Sequence, residues 1–78
     1  MNTFNKTAAK NLAGKTITYN GETKVTFAIA DYNPKTNLFA LVNLESETTH
    51  ELHLEGLNRM IKQDNKMKHA NPFVTFGE

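Results

Sequence analysis

Between Ile17 and Leu54 apolar side chains recur at every second residue, and three clusters of turn-forming residues interrupt the run. A period of two sends alternate side chains to opposite faces of an extended chain, so this stretch can bury one side of a sheet but not a helical stripe. Ile17 and Tyr19 alternate with Thr16 and Thr18, and Asn20-Gly21 follows as a two-residue hairpin signal, because both positions tolerate positive φ. Thr23 to Tyr32 places Val25, Phe27 and Ile29 on one face, with Thr26, Ala28, Ala30 and Tyr32 on the other. Asn33 to Asn37 is turn chemistry throughout. Leu38 to Leu44 is apolar on both faces, the pattern of a central strand covered on two sides. After an acidic turn from Glu45 to Thr48, Thr49 to Leu54 resumes the alternation with Leu52 and Leu54.

Helical signals flank this region. Thr3 is placed to cap a short helix in which Phe4, Ala8 and Leu12 recur every four residues, and Gly14 stands where helices commonly end in a left-handed residue. Thr48 and Glu51 form a capping-box pattern that competes for the segment Thr49 to Gln63 as one helix. Against it stand Gly56, at about 1 kcal/mol relative to Ala in a helix interior, and the β-branched pair Thr48-Thr49. The segment therefore splits into a strand to Leu54 and a short helix over Glu55 to Gln63, with Leu57, Met60 and Ile61 turned inward. Asp64 to Asn71 is polar and reads as a loop or tail. Phe73, Val74 and Phe76 suit either a last short strand or docking on a partner.

The expected architecture is a β-rich α+β domain covering residues 1–78: an N-terminal helix in 1–14, a four-stranded antiparallel meander in 15–54, a helix in 55–63 and a tail in 64–78. By fold analogy alone, such a meander suggests an SH3-like small barrel or a curled sheet. The expected core is Ile17, Tyr19, Val25, Phe27, Ile29, Phe39, Leu41, Leu52, Leu54, Leu57 and Ile61.

Seventy-eight residues bury only about 60% of the unfolded chain's surface, a thin interior for a desolvated catalytic site. The absence of cysteine excludes disulfides and thiolate metal ligation. The longest uninterrupted apolar run, Leu38 to Val42, is far short of the roughly 20 residues that span a bilayer. Met1 to Gly14 lacks the apolar run of a signal peptide, and the expected location is cytoplasmic.

Three motifs invite chemistry and fail on spacing or setting. Ala9 to Thr16 reads AKNLAGKT, with Ala9 where a phosphate-binding loop needs its first glycine and a strand where it needs a helix. His50 and His53 lie three apart, whereas a zinc-binding helix pair needs four, and on a strand they point to opposite faces. Ser46 sits in an acidic turn without a base or oxyanion-hole glycines. The chain reads as neither an enzyme nor a cofactor or metal binder.

Charge is segregated although the net is only +1. Arg59, Lys62, Lys66 and Lys68 form a basic run, its first three members stepping along one helical edge if the helix extends. Glu45, Glu47, Glu51 and Glu55 form an acidic stretch suited to a basic groove on another protein. Tyr32 is a candidate interface anchor, since tyrosine offers wide contact at low entropy cost. Ten Asn, ten Thr and eight Lys to one Arg match the usage of A/T-rich genomes, bacteriophage and mobile elements among them. These features converge on a non-enzymatic protein-binding module, of the kind a phage or mobile element directs at a host factor. The alternatives are a small nucleic-acid-binding barrel that uses the basic helix, and a self-associating subunit joined through strand edges or the Phe73–Phe76 tail.

Overall fold

The computed structural model describes residues 1–67 and 72–78 and shows a strand-rich α+β fold. In chain order the elements are α1 (Lys6–Lys10), β1 (Thr16–Asn20), β2 (Lys24–Asn33), β3 (Leu38–Asn43), β4 (Thr49–His53), α2 (Leu54–Met67) and β5 (Val74–Gly77). The strands form one antiparallel sheet in the order β4-β3-β2-β1-β5. Thr49–His53 is thus a strand, as the alternation requires, and the rival single helix is excluded.

The sheet does not close into a barrel. A fifth strand forms where the sequence left a choice, and it adds to β1 instead of bridging to β4. Leaving β4 at one edge, α2 lies across a single face of the sheet and returns the chain to β5 at the other. The shortest dimension, 19 Å against 31 and 28 Å, is that of two layers.

The core lies between sheet and helices. Ile17, Phe27, Ile29, Phe39, Leu41 and Val74 from the strands meet Ala9, Leu12, Leu54, Leu57 and Ile61. Most of the expected core is therefore present, with Tyr19, Val25 and Leu52 half-buried. Phe4 packs edge-on to Phe76, with ring centroids 5.4 Å apart. The Asn58 side chain both donates to the Phe4 carbonyl and accepts from its N–H, each at 2.8 Å. Two turns along α2, Asn65 makes the same reciprocal pair with Met1. An extended N-terminal segment is thereby stitched to α2 where its backbone has no strand partner.

Several local expectations change. The short α1 is capped by Asn5, whose Oδ1 accepts from Ala8 N–H at 2.8 Å, and not by Thr3. Asn20 is not a turn residue: it pairs with Lys24 inside the ladder, and its Nδ2 donates to Pro72 O and Thr75 Oγ1. Those bonds hold Asn20 extended, so the hairpin turns through residues 21–23. α2 starts at Leu54 and runs to Met67, overriding the loop reading for Asp64 to Met67. Gly56 is tolerated inside it, close over the Leu52 side chain.

Candidate functional site

Each strand has a covered face and an open one, and the open one carries the candidate site. Opposite residues in an antiparallel ladder share a face, so the register defines its rows. Leu44, whose N–H donates to Thr26 O, heads the row Leu44, Thr26, Thr18, Thr75. The next row is Thr49, Val42, Ala28, Thr16 and Gly77, and the third is Glu51, Ala40 and Asp31. His53, Leu38 and Asn33 complete it.

The centre of this face is uncharged. Thr18 and Thr26 share a hydroxyl–hydroxyl bond at 3.0 Å, and Thr75 Oγ1 accepts from Asn20 Nδ2 at 3.1 Å. The apolar line of this face belongs to β3: Leu38, Ala40, Val42 and, just beyond the strand, Leu44. Leu44 is 56% exposed. The sequence marks β3 as covered on both sides, and the structure covers it on one. Charge stands at the margins, with Asp31 and Glu51 toward one end and Lys24 toward the other.

Tyr32, expected at the surface, is buried at 3% exposure against Phe39, with ring centroids 4.7 Å apart. The cause is a β-bulge between Ile29 and Asp31: one extra residue reverses the alternation and turns Tyr32 inward. Its hydroxyl donates to Asn37 Oδ1 at 2.9 Å. Buried there, its ring is turned away from the surface.

Arg59, Lys62 and Lys66 are exposed on α2, in the layer opposite the open sheet face. The longer helix does align them along one edge. Arg59 pairs with Glu55 at 3.5 Å, both side chains being about three-quarters exposed, which offsets part of the local charge while adding little stability. Lys68 lies outside the described residues, as does His69. The four glutamates do not form one surface: Glu45 and Glu47 occupy the β3–β4 turn, Glu51 stands on the open face and Glu55 belongs to α2.

The two histidines part as a strand requires. His50 packs edge-on to Phe27, and its Nε2 is 2.8 Å from Thr48 Oγ1. His53 Nδ1 accepts from Glu55 N–H at 3.1 Å, capping α2. Among the described residues no three His, Asp or Glu side chains converge on a metal position. In the AKNLAGKT segment Gly14 has φ 89°, and its N–H donates to Ile29 O while Lys15 N–H donates to Leu12 O. Those donors serve the helix-to-strand junction and do not converge on an anion. An open cleft of about 370 Å³ between the start of α2 and the β2–β3 turn is lined by Asn37, His53, Glu55, Asn58, Arg59 and Lys62.

No known family, curated protein or solved structure matches the chain. Among the described residues no helix is long and apolar enough to cross a membrane.

One titration reports on the rim of the core. Tyr19 stacks on Phe73 at 5.6 Å and meets Phe27 edge-on at 5.5 Å, and burial pushes its phenol above the usual tyrosine range. The folded state therefore favours neutral Tyr19. Its contribution to stability is complete below about pH 10, the unfolded value, and is lost as pH rises through the folded value. Alkaline spectrophotometric titration should show a late ionisation step that Tyr19→Phe removes.

Proposed function

We propose that this chain is a non-enzymatic protein-binding module that docks its open sheet face on a protein partner. The observation that carries this reading is the second apolar side of β3, left uncovered between rows of threonine on a backbone already fully used in the ladder. Such a surface is rigid, costs little to desolvate and excludes charge from its centre, as buried interface cores do. A nucleic acid would meet almost no cation there, and phosphate binding depends on cations. The biased Asn, Thr and Lys usage supports a phage or mobile-element origin and a bacterial host factor as the partner.

The test combines affinity capture from a bacterial lysate with substitutions on the two faces. Val42→Lys and Thr18→Lys should each weaken binding of the captured protein about 30-fold or more, the effect of losing a 2 kcal/mol hot spot, with the thermal melt retained. Binding unaffected by both substitutions would refute the face assignment.

The alignment of Arg59, Lys62 and Lys66 along α2 favours a second reading, a nucleic-acid-binding surface on the helical layer. In that case single- or double-stranded probes form a complex that weakens steeply with salt and is abolished by Lys62→Glu with Lys66→Glu.

A further inference from the structure

We infer that the outer edge of β4 accepts an extended segment of a partner protein by antiparallel strand addition, and that Glu51 selects a lysine or arginine opposite it. The inference rests on the protein-binding reading but uses the edge of the sheet instead of its face.

The hydrogen-bond pattern fixes which backbone groups are free. Asn43 N–H donates to Thr48 O and Leu54 N–H donates to Asn37 O, both at 2.8 Å, on either side of the β3–β4 ladder. Antiparallel pairs alternate between bonded and non-bonded, so His50 and Leu52 direct their backbone groups at β3. The N–H groups of Thr49, Glu51 and His53, and the carbonyls of Thr49 and Glu51, point outward. β4 is exposed at every position except Leu52.

The opposite edge is occupied at its start. Along β5 the same alternation turns Val74 N–H outward, but that group donates to Asp64 Oδ2 at 3.1 Å, and Phe73 N–H donates to Oδ1 at 3.0 Å. The last turn of α2 thus guards the start of β5, whereas nothing among the described residues bonds the outer side of β4.

The occupant follows from charge. A second copy pairing symmetrically through all of β4 would set Glu51 against Glu51, and like charges directly opposite destabilise a ladder. Such a charge on an edge strand opposes self-association. A partner strand with a cation at that position gains the opposite effect, with Asp31 two strands away in the same row adding to the negative potential.

Amide NMR of the full chain tests this with two five-residue peptides, acetylated and amidated at the ends: Thr-Val-Lys-Val-Thr and Thr-Val-Glu-Val-Thr. The lysine peptide should shift the amides of Thr49, Glu51 and His53 at millimolar concentration and bind on the order of fivefold more tightly than the glutamate peptide. Glu51→Lys should reverse that preference. Unmoved β4 amides with both peptides, or a preference that Glu51→Lys leaves unchanged, would overturn the inference, as would shifts of the same amides on raising protein concentration alone. The peptides are read on the β4 amides, whereas Thr18→Lys and Val42→Lys are read on capture of the lysate partner, so failure at the edge is distinguishable from failure of the face.

Discussion

Replacing Phe39 by alanine should lower the unfolding free energy by about 3–5 kcal/mol, the range for deleting a buried aromatic ring. Phe39 is 1% exposed at the centre of β3, beside the Tyr32 ring and opposite Leu52 on β4. Both rings belong to strands that cannot shift without breaking the ladder on each side, so the cavity would collapse only partly. A domain of this length has roughly 4–12 kcal/mol in all, and the variant should sit near the edge of folding. At about 4–8 °C per kcal/mol its melting point falls by at least roughly 12 °C. Urea unfolding should show a lower midpoint with an unchanged slope if only the core is affected. A loss below about 1 kcal/mol would mean that α2 does not cover this face. Phe73, 42% exposed and stacked on Tyr19 at the sheet's end, provides the contrast: its removal leaves the packing around Phe39 untouched.

The covered side of the sheet was legible because burial and a period of two make one pattern. Ile17, Phe27, Ile29, Phe39 and Leu41 all point where that pattern sends them. Tyr32 was not legible. The bulge at Ala30 inserts one unpaired residue, and nothing in Ala28-Ile29-Ala30-Asp31 distinguishes a bulged chain from a regular one. The length of α2 was hidden for a different reason. Asp64 to Lys66 is polar because most of it faces water, yet Asp64 to Met67 contains no glycine or proline to stop the backbone, and Pro72 is the next breaker.

The candidate surface was half visible. Charge runs stand out in any sequence, so Arg59, Lys62 and Lys66 were conspicuous, and α2 does line them up. The open face carries a weaker signal, the apolar side chains at both even and odd positions of Leu38 to Leu44. Among the described residues only one face of the sheet finds a cover, since α1 has five residues and α2 packs on that same side. Counting available helices against apolar sheet faces would have identified β3's second side as unpartnered.

Asp64→Ala is expected to release β5 from the sheet while leaving the meander folded. The carboxylate accepts from two successive backbone N–H groups, Phe73 and Val74, where the chain re-enters the sheet after α2. Hydrogen bonds to a charged acceptor contribute about 1.5–3 kcal/mol each, reduced here because Phe73 is partly exposed. The other holds on this four-residue edge strand are the Val74 side chain in the core, Phe76 against Phe4, Phe73 on Tyr19, the Asn20 side-chain bonds and the ladder to β1. Losing both bonds should shift the local equilibrium by about 2–3 kcal/mol, some 30- to 150-fold in the open population. Hydrogen exchange should accelerate by that factor at the Asn20 amide, which donates to Phe73 O, and at β5 amides bonded to β1, but not in β2 to β4. Asp64→Asn, which keeps one acceptor oxygen, should fall between the two. Uniform acceleration across all five strands would show instead that β5 unfolds only with the whole sheet, and that the Asp64 clamp belongs to global stability and not to this edge alone.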